Sequence, residues 1–186
     1  MFIQTEATPN PATLKFIPGQ PVLDQGTLEF LVAEESKGSP LAARLFEIEG
    51  VKGVFFGTDF ISVTKGDGEW QHLKPAILGV ITEHYLSGQA VTSEQPSADG
   101  GATGEFYGPE DEEIVKTIKE LLETRVRPAV AQDGGDITFK GYREGVVFLN
   151  MRGACSGCPS STATLRHGIE NLLRHFIPEV QEVRPV

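Results

Sequence analysis

Residues 133–159 read DGGDITFKGYREGVVFLNMRGACSGCP. Two runs in this stretch, 137–142 and 146–151, have strand-like patterning and are joined by the tight Arg143-Glu144-Gly145, which predicts a β-hairpin. Asp133-Gly134-Gly135-Asp136 in front of it reads as a turn with glycines at positive φ; two carboxylates in four residues do not make a calcium loop. Behind the hairpin comes a loop holding the only two cysteines of the chain, Cys155 and Cys158. Pro159 at a first helical position then opens a helix over 159–176, with Leu165, Ile169, Leu172, Leu173 and Phe176 as its apolar stripe.

Working outward, Pro109-Glu110-Asp111-Glu112-Glu113 puts four carboxylates on the first turn of another helix, where the helix dipole favours them. Ile114, Ile118, Leu121, Leu122 and Val126 form its buried face, and Arg127-Pro128 is expected to end it. A last strand is expected at 180–183, beyond Pro178. The order is α-β-β-α-β.

Upstream, 89–108 (QAVTSEQPSADGGATGEFYG) has few large apolar residues and no positive charge. Such a stretch cannot bury enough surface to offset the entropy of ordering it, so it reads as a flexible linker between 1–88 and 109–186. In the first half, 13–17 and 27–32 alternate like half-buried strands. Ser39-Pro40 supplies a helix cap and first position, with Leu41, Leu45 and Ile48 at helical spacing. Gly57-Thr58-Asp59 joins two strands as a hairpin, and a helix follows over about 69–86 before Gly88. Trp70 is expected in the core. The fold class is α+β, as two small domains.

The chain has 186 residues, 39% hydrophobic and 23% charged, which is globular in character. Its formal net charge is −10 and neither half is basic, which argues against nucleic-acid partners and against docking on an anionic membrane. No run approaches the ~20 apolar residues of a membrane span. The start carries no secretory signal or Arg-rich transit pattern, and two cysteines make no disulfide framework, so a reducing, cytoplasmic compartment is expected.

The cysteine loop carries the chemistry. Its place before a helix N-terminus favours thiolate at Cys158, and Gly153, Ala154, Ser156 and Gly157 are small enough to leave both sulfurs uncovered. Three readings stand. A dithiol–disulfide oxidoreductase uses such a pair, although helix-hairpin-helix is not the βαβ opening of a thioredoxin-like sheet. A structural zinc wants four ligands, and His72, His84, His167 and His175 read as surface or satisfied histidines. An iron–sulfur cluster also wants about four thiolates. For zinc or cluster held by cysteine alone, two copies of the chain must share it.

Gly153-Ala154-Cys155-Ser156-Gly157-Cys158-Pro159-Ser160-Ser161, with Arg127-Pro128 and Asp133-Gly134-Gly135-Asp136 before it, resembles the C-terminal domain of the NifU-like (Nfu) family. Residues 5–16 (TEATPNPATLKF) and 53–61 (GVFFGTDFI) resemble that family's N-terminal domain. The resemblance implies an iron–sulfur scaffold or carrier rather than an enzyme. It implies that Cys155 and Cys158 are the metal and cofactor ligands, holding a 4Fe–4S cluster across a homodimer. The implied partners are apo iron–sulfur client proteins and other assembly factors. The implied compartment is a bacterial cytoplasm, or the mitochondrial matrix for a eukaryotic chain whose presequence is removed.

Overall fold

A computed structural model of the chain describes residues 1–93, 104–156 and 159–186, with 159–161 described by their backbone. Cys158 and the 94–103 part of the expected linker lie outside the described residues. Contacts divide the chain into two compact units, Met1–Ala98 and Asp99–Val186. Both combine helices and sheet, so the α+β class holds.

In the first unit, strands β1 (Gln4–Ala7), β2 (Thr13–Ile17), β3 (Leu28–Phe30), β4 (Val51–Phe56) and β5 (Ile61–Lys65) form one antiparallel sheet in the order β1-β2-β5-β4-β3. Ser39 caps α1 (Pro40–Phe46) by accepting the Ala42 N–H at 3.1 Å. Helix α2 (Trp70–Ser87) stops at Gly88, whose φ of 72° suits glycine. Leu41 and Leu45 from α1 meet Leu73, Ile77 and Ile81 from α2 over Phe16, Phe56, Ile61 and Val63 of the sheet. A fully buried side chain of this kind contributes about 1.5–3 kcal/mol. Trp70 is only half-buried at the rim of this core; its indole N–H donates to the Pro11 carbonyl at 3.1 Å. Gly57 is needed beneath the hairpin, because a Cβ there would lie 2.3 Å from the Phe60 ring.

In the second unit, α3 (Glu112–Leu121) does not end at Arg127-Pro128. It passes through a π-helical turn, Leu122–Val126, into α4 (Arg127–Gln132). Pro128 has no N–H to donate to the carbonyl four residues back. The chain widens instead, and the Arg127 N–H reaches the Leu122 carbonyl five residues back. Strands β6 (Gly135–Arg143) and β7 (Val146–Gly153) pair antiparallel with a bulge between Phe139 and Gly141. Glu144 at φ 50° and Gly145 at φ 81° make their turn. Helix α5 (Pro159–Phe176) then crosses to β8 (Glu182–Pro185), which pairs parallel to β7. Val115, Ile118, Leu122 and Val126 pack with Ile169 and Leu173 of α5 against Ile137, Val147 and Leu149 of the sheet. The expected α-β-β-α-β order is present, with the last strand two residues further on.

The described ends of the stretch expected as linker are attached to the units. Val91 is buried in the first unit and its carbonyl accepts from the Ser39 hydroxyl at 2.6 Å. Phe106 bridges to Gly141 of β6, where a Cβ would lie 2.5 Å from the Phe106 ring.

Candidate functional site

The β6–β7 ladder brings the Asp133–Asp136 turn and the cysteine loop together. Gly135 stands opposite Gly153, and Asp136 opposite Arg152. Gly134 (φ 81°) and Gly153 (φ 65°) both use left-handed backbone, and the Ala154 N–H donates to the Gly134 carbonyl at 3.2 Å. The loop is further tied by the Ser156 N–H and hydroxyl, both donating to the Gly153 carbonyl, and by the Thr162 hydroxyl donating to the Cys155 carbonyl at 2.9 Å.

Cys155 is not uncovered. It is 6% exposed and belongs to the core of the second unit. The small residue that matters for it is Gly135, across the ladder: a Cβ there would lie 2.7 Å from the Cys155 Sγ. The bare glycine is the sulfur's seat. Burial pushes the Cys155 thiol up to about 12, and the carboxylates of Asp133 and Asp136 push in the same direction. Burial and these carboxylates both favour the protonated thiol at Cys155. The thiolate expected at Cys158 lies outside the described residues.

Asp136 is itself 3% exposed and needs a counter-charge. Arg127 supplies it through two parallel hydrogen bonds, Nε to Oδ1 at 2.9 Å and Nη2 to Oδ2 at 3.0 Å. The remaining Nη1 binds both Glu123 oxygens at 2.9 and 2.7 Å, and the Ile137 N–H completes Asp136. Hydrogen bonding to Asp136 raises the already high Arg127 pKa. The π-helical turn therefore ends on a guanidinium that pins the start of β6 beside Cys155. The sequence reads Arg127 as part of a helix stop and Asp136 as part of a turn, with no pairing between them. The signal was there in an arginine and an aspartate nine residues apart around a Gly-Gly turn.

Among the described residues no group of three His, Cys, Asp or Glu side chains could hold a metal ion. His72, His167 and His175 are exposed, as expected. His84 is not exposed: it is 0% exposed, and among the described residues neither ring nitrogen makes a hydrogen bond of ordinary geometry, with the Gln89 backbone as a weak partner.

Comparison with known proteins fits this layout. A human protein named "NFU1 iron-sulfur cluster scaffold homolog, mitochondrial" is 51% identical over 189 residues, covering 100% of this chain and 72% of the relative. The chain belongs to the NifU-like (Nfu) family. Residues 3–88 match the family described as "Scaffold protein Nfu/NifU N terminal", and residues 118–184 match the "NifU-like domain". A second Nfu relative, "NifU-like protein 4, mitochondrial" of Arabidopsis thaliana, is 49% identical over 98% of this chain and 65% of its own length. The chain thus spans roughly two thirds of the length of these Nfu proteins. The solution NMR structure of a NifU-like protein from Saccharomyces cerevisiae covers 51% of the chain at 27% identity and a TM-score of 0.46.

Proposed function

We propose that this Nfu chain is an iron–sulfur cluster scaffold or carrier and not an enzyme. Cys155 and Cys158 from each of two copies hold a labile 4Fe–4S cluster, which passes to apo-proteins. The observation that carries this reading is the ligand count. Cys155 is the one thiol among the described residues, Cys158 is the only other in the sequence, and among the described residues no group of three His, Cys, Asp or Glu side chains could replace them. Two soft donors per chain make four per pair of chains, the number a cluster takes. The names of the relatives support the scaffold role, and their mitochondrial naming supports the matrix over a bacterial cytoplasm.

The cluster is cargo here, and the chain's own residues define how it is held. Cys155 must give up its proton and turn its sulfur from the Gly135 seat toward the shared cluster, so loading releases protons and strengthens as pH rises. The Arg127–Asp136 lock keeps the ladder beneath the loop in place while the sulfur moves. A dithiol oxidoreductase is less well served, because an attacking thiol works best with a pKa near ambient pH and Cys155 is far above it. The division into 1–88, 89–108 and 109–186 follows the same reading, with cluster handling in the last part and partner recognition in the first.

Anaerobic reconstitution with iron and sulfide tests the function. The expected result is a visible absorption band together with doubled mass in solution, both lost in Cys155→Ser. A cluster on a monomer, or one retained by Cys155→Ser, would contradict the ligand assignment. Zinc in place of iron in protein isolated anaerobically would favour a structural dimer.

A further inference from the structure

The second unit contains an open cavity of about 900 Å³, far from the cysteine loop. It lies between residues 105–108, the turn Pro109–Asp111 that starts α3, and the β6–β7 turn. The cysteine loop is at the other end of the same hairpin. The nine residues of β6 separate the two by roughly 25–30 Å at about 3.3 Å per residue.

The wall is aromatic and the charge is negative. Phe106, Tyr107 and Tyr142 line the cavity, and Tyr107 is 41% exposed. Glu110, Asp111 and Glu144 also line it, and none has an ion-pair partner among the described residues. Glu105 is already paired with Lys119, and the Arg143 guanidinium, a positive group on the wall, stands over the Phe106 ring, 5.6 Å from its centroid, so the lining carries four carboxylates against one arginine. The Glu110 carboxylate folds over Gly108, where a Cβ would lie 2.5 Å from Oε1.

Tyr142 supplies a separate observation. Its side chain is 4% exposed with the ring in the core, yet it forms part of the cavity wall. Its oxygen takes a hydrogen bond from the Gly145 backbone, and among the described residues its hydroxyl donates none. Burial, with the charges of Asp111 and Glu179, keeps that proton in place. A hydroxyl that donates to no described residue thus shares the cavity wall with three carboxylates that have no ion pair among the described residues.

We propose that this cavity binds an extended, arginine- or lysine-bearing segment of a partner protein. The cationic head meets Glu110, Asp111 and Glu144, the aliphatic stem lies on Tyr107, and the Tyr142 hydroxyl donates to a backbone carbonyl of the segment. Rings and carboxylates together favour a cation with an apolar stem over a small ion. A divalent metal is disfavoured, since no three ligating side chains converge among the described residues. The cavity is also of the size that holds several side chains. The proposal is independent of the cluster reading. If both hold, a partner can dock at the turn while the loop at the other end stays free.

The test uses the full, cluster-free chain and a fluorescein-labelled nonapeptide alternating arginine and leucine, read by anisotropy. Saturable binding is expected. Citrulline in place of arginine, or the Asp111→Asn/Glu144→Gln double variant, should weaken it by about tenfold or more, the scale of a lost charge-assisted contact. Tyr142→Phe, which keeps the ring in the core, should weaken it by about threefold or more through loss of one hydrogen bond. A Glu34→Gln/Glu49→Gln control, removing exposed carboxylates of the first unit, should change it by less than about twofold. Three results would each overturn the proposal: no saturation, citrulline peptide bound equally well, or control and cavity variants equally weakened. Displacement of the peptide by an equal concentration of spermidine would also overturn it, in favour of a polyamine. Failure of cluster loading in the unaltered chain leaves this measurement untouched.

Discussion

His84 in the first unit and Asp136 in the second are buried in opposite ways. In the first, His84 lies in the core, and among the described residues neither ring nitrogen makes a hydrogen bond of ordinary geometry. In the second, Cys155 and Asp136 are buried within a connected set that runs through Gly135 and Arg127 to the π-helical turn. Partial satisfaction of a buried group makes a liability, whereas a connected set makes a platform whose parts stand or fall together. In the first unit His84 is therefore an isolated weak point. In the second, the Arg127–Asp136 pair sits at the cysteine end of the hairpin, while Thr138 Oγ1 and Arg166 Nε are buried without a partner among the described residues.

Breaking the connected set should have the largest effect. Arg127→Ala leaves Asp136 buried without its guanidinium, a change that costs about 3–5 kcal/mol for a buried pair and somewhat less here because the arginine side chain is 26% exposed. Hydrogen exchange across β6 and β7 should accelerate. Trp70 is the only tryptophan and belongs to the first unit, so the fluorescence transition of that unit should not move. Movement of both would mean that the units do not unfold separately.

Gly135→Ala comes next. Its methyl would meet both the Arg152 carbonyl and the Cys155 sulfur at 2.7 Å, and overpacking of this kind costs about 1–3 kcal/mol. If the glycine is the sulfur's seat, maleimide should modify Cys155 faster in the variant than in the parent under native conditions. An unchanged rate would mean that the sulfur finds another buried position.

The contrast also has a pH signature. Burial, with the nearby charge of Arg44, holds the His84 pKa below its ordinary 6.5, so its contribution to stability is present above 6.5 and lost as pH falls through the lowered value. Cys155 is raised from 9.0 to about 12, so its contribution is present below 9 and lost as pH rises toward 12. Tyr85 in the first unit and Tyr142 in the second are also raised, which puts alkaline slopes in both. The differences are therefore read against His84→Leu and Cys155→Ala. The first should flatten the acid limb of the tryptophan-monitored melting curve, and the second should flatten part of the alkaline limb of the second unit.

The smallest expected effect has the opposite sign. Gly168 lies exposed within α5, and a Cβ there meets nothing within 4 Å. Gly168→Ala should stabilise the second unit by about 0.5–1 kcal/mol, read from chemical denaturation. Destabilisation would point to a contact made only in an assembly of chains.

Much of this was legible from the sequence where one element carries its own signal. Helix 159–176 was, because Pro159 marks its start and the apolar stripe its face. Strand β1 was not: Gln4-Thr5-Glu6-Ala7 has no apolar alternation, and it is a strand because β2 offers it a free edge. The arginine-proline pair misled because a proline inside a helix usually ends it, and a widened turn needs knowledge of what Arg127 gains from Asp136. The burial of Cys155 was hidden for a similar reason. Loop composition shows that the neighbours are small, but the residue that admits the sulfur is twenty positions upstream and meets it only through strand register.

The parallel pairing of β8 with β7 has a consequence for biosynthesis. Parallel strands cannot close until the crossover between them is complete. Here the crossover is the cysteine loop and α5, and Glu170 and Arg174 of that helix bond to Val183 and Gln181 at its far end. During translation the thiols therefore leave the ribosome before the residues that fasten α5 down. Until Glu182–Pro185 arrives, a nascent chain carries Cys155 without its finished shelter, open to oxidants and stray metals. Chains stalled before Glu182 should react with maleimide at Cys155 far faster than the released protein.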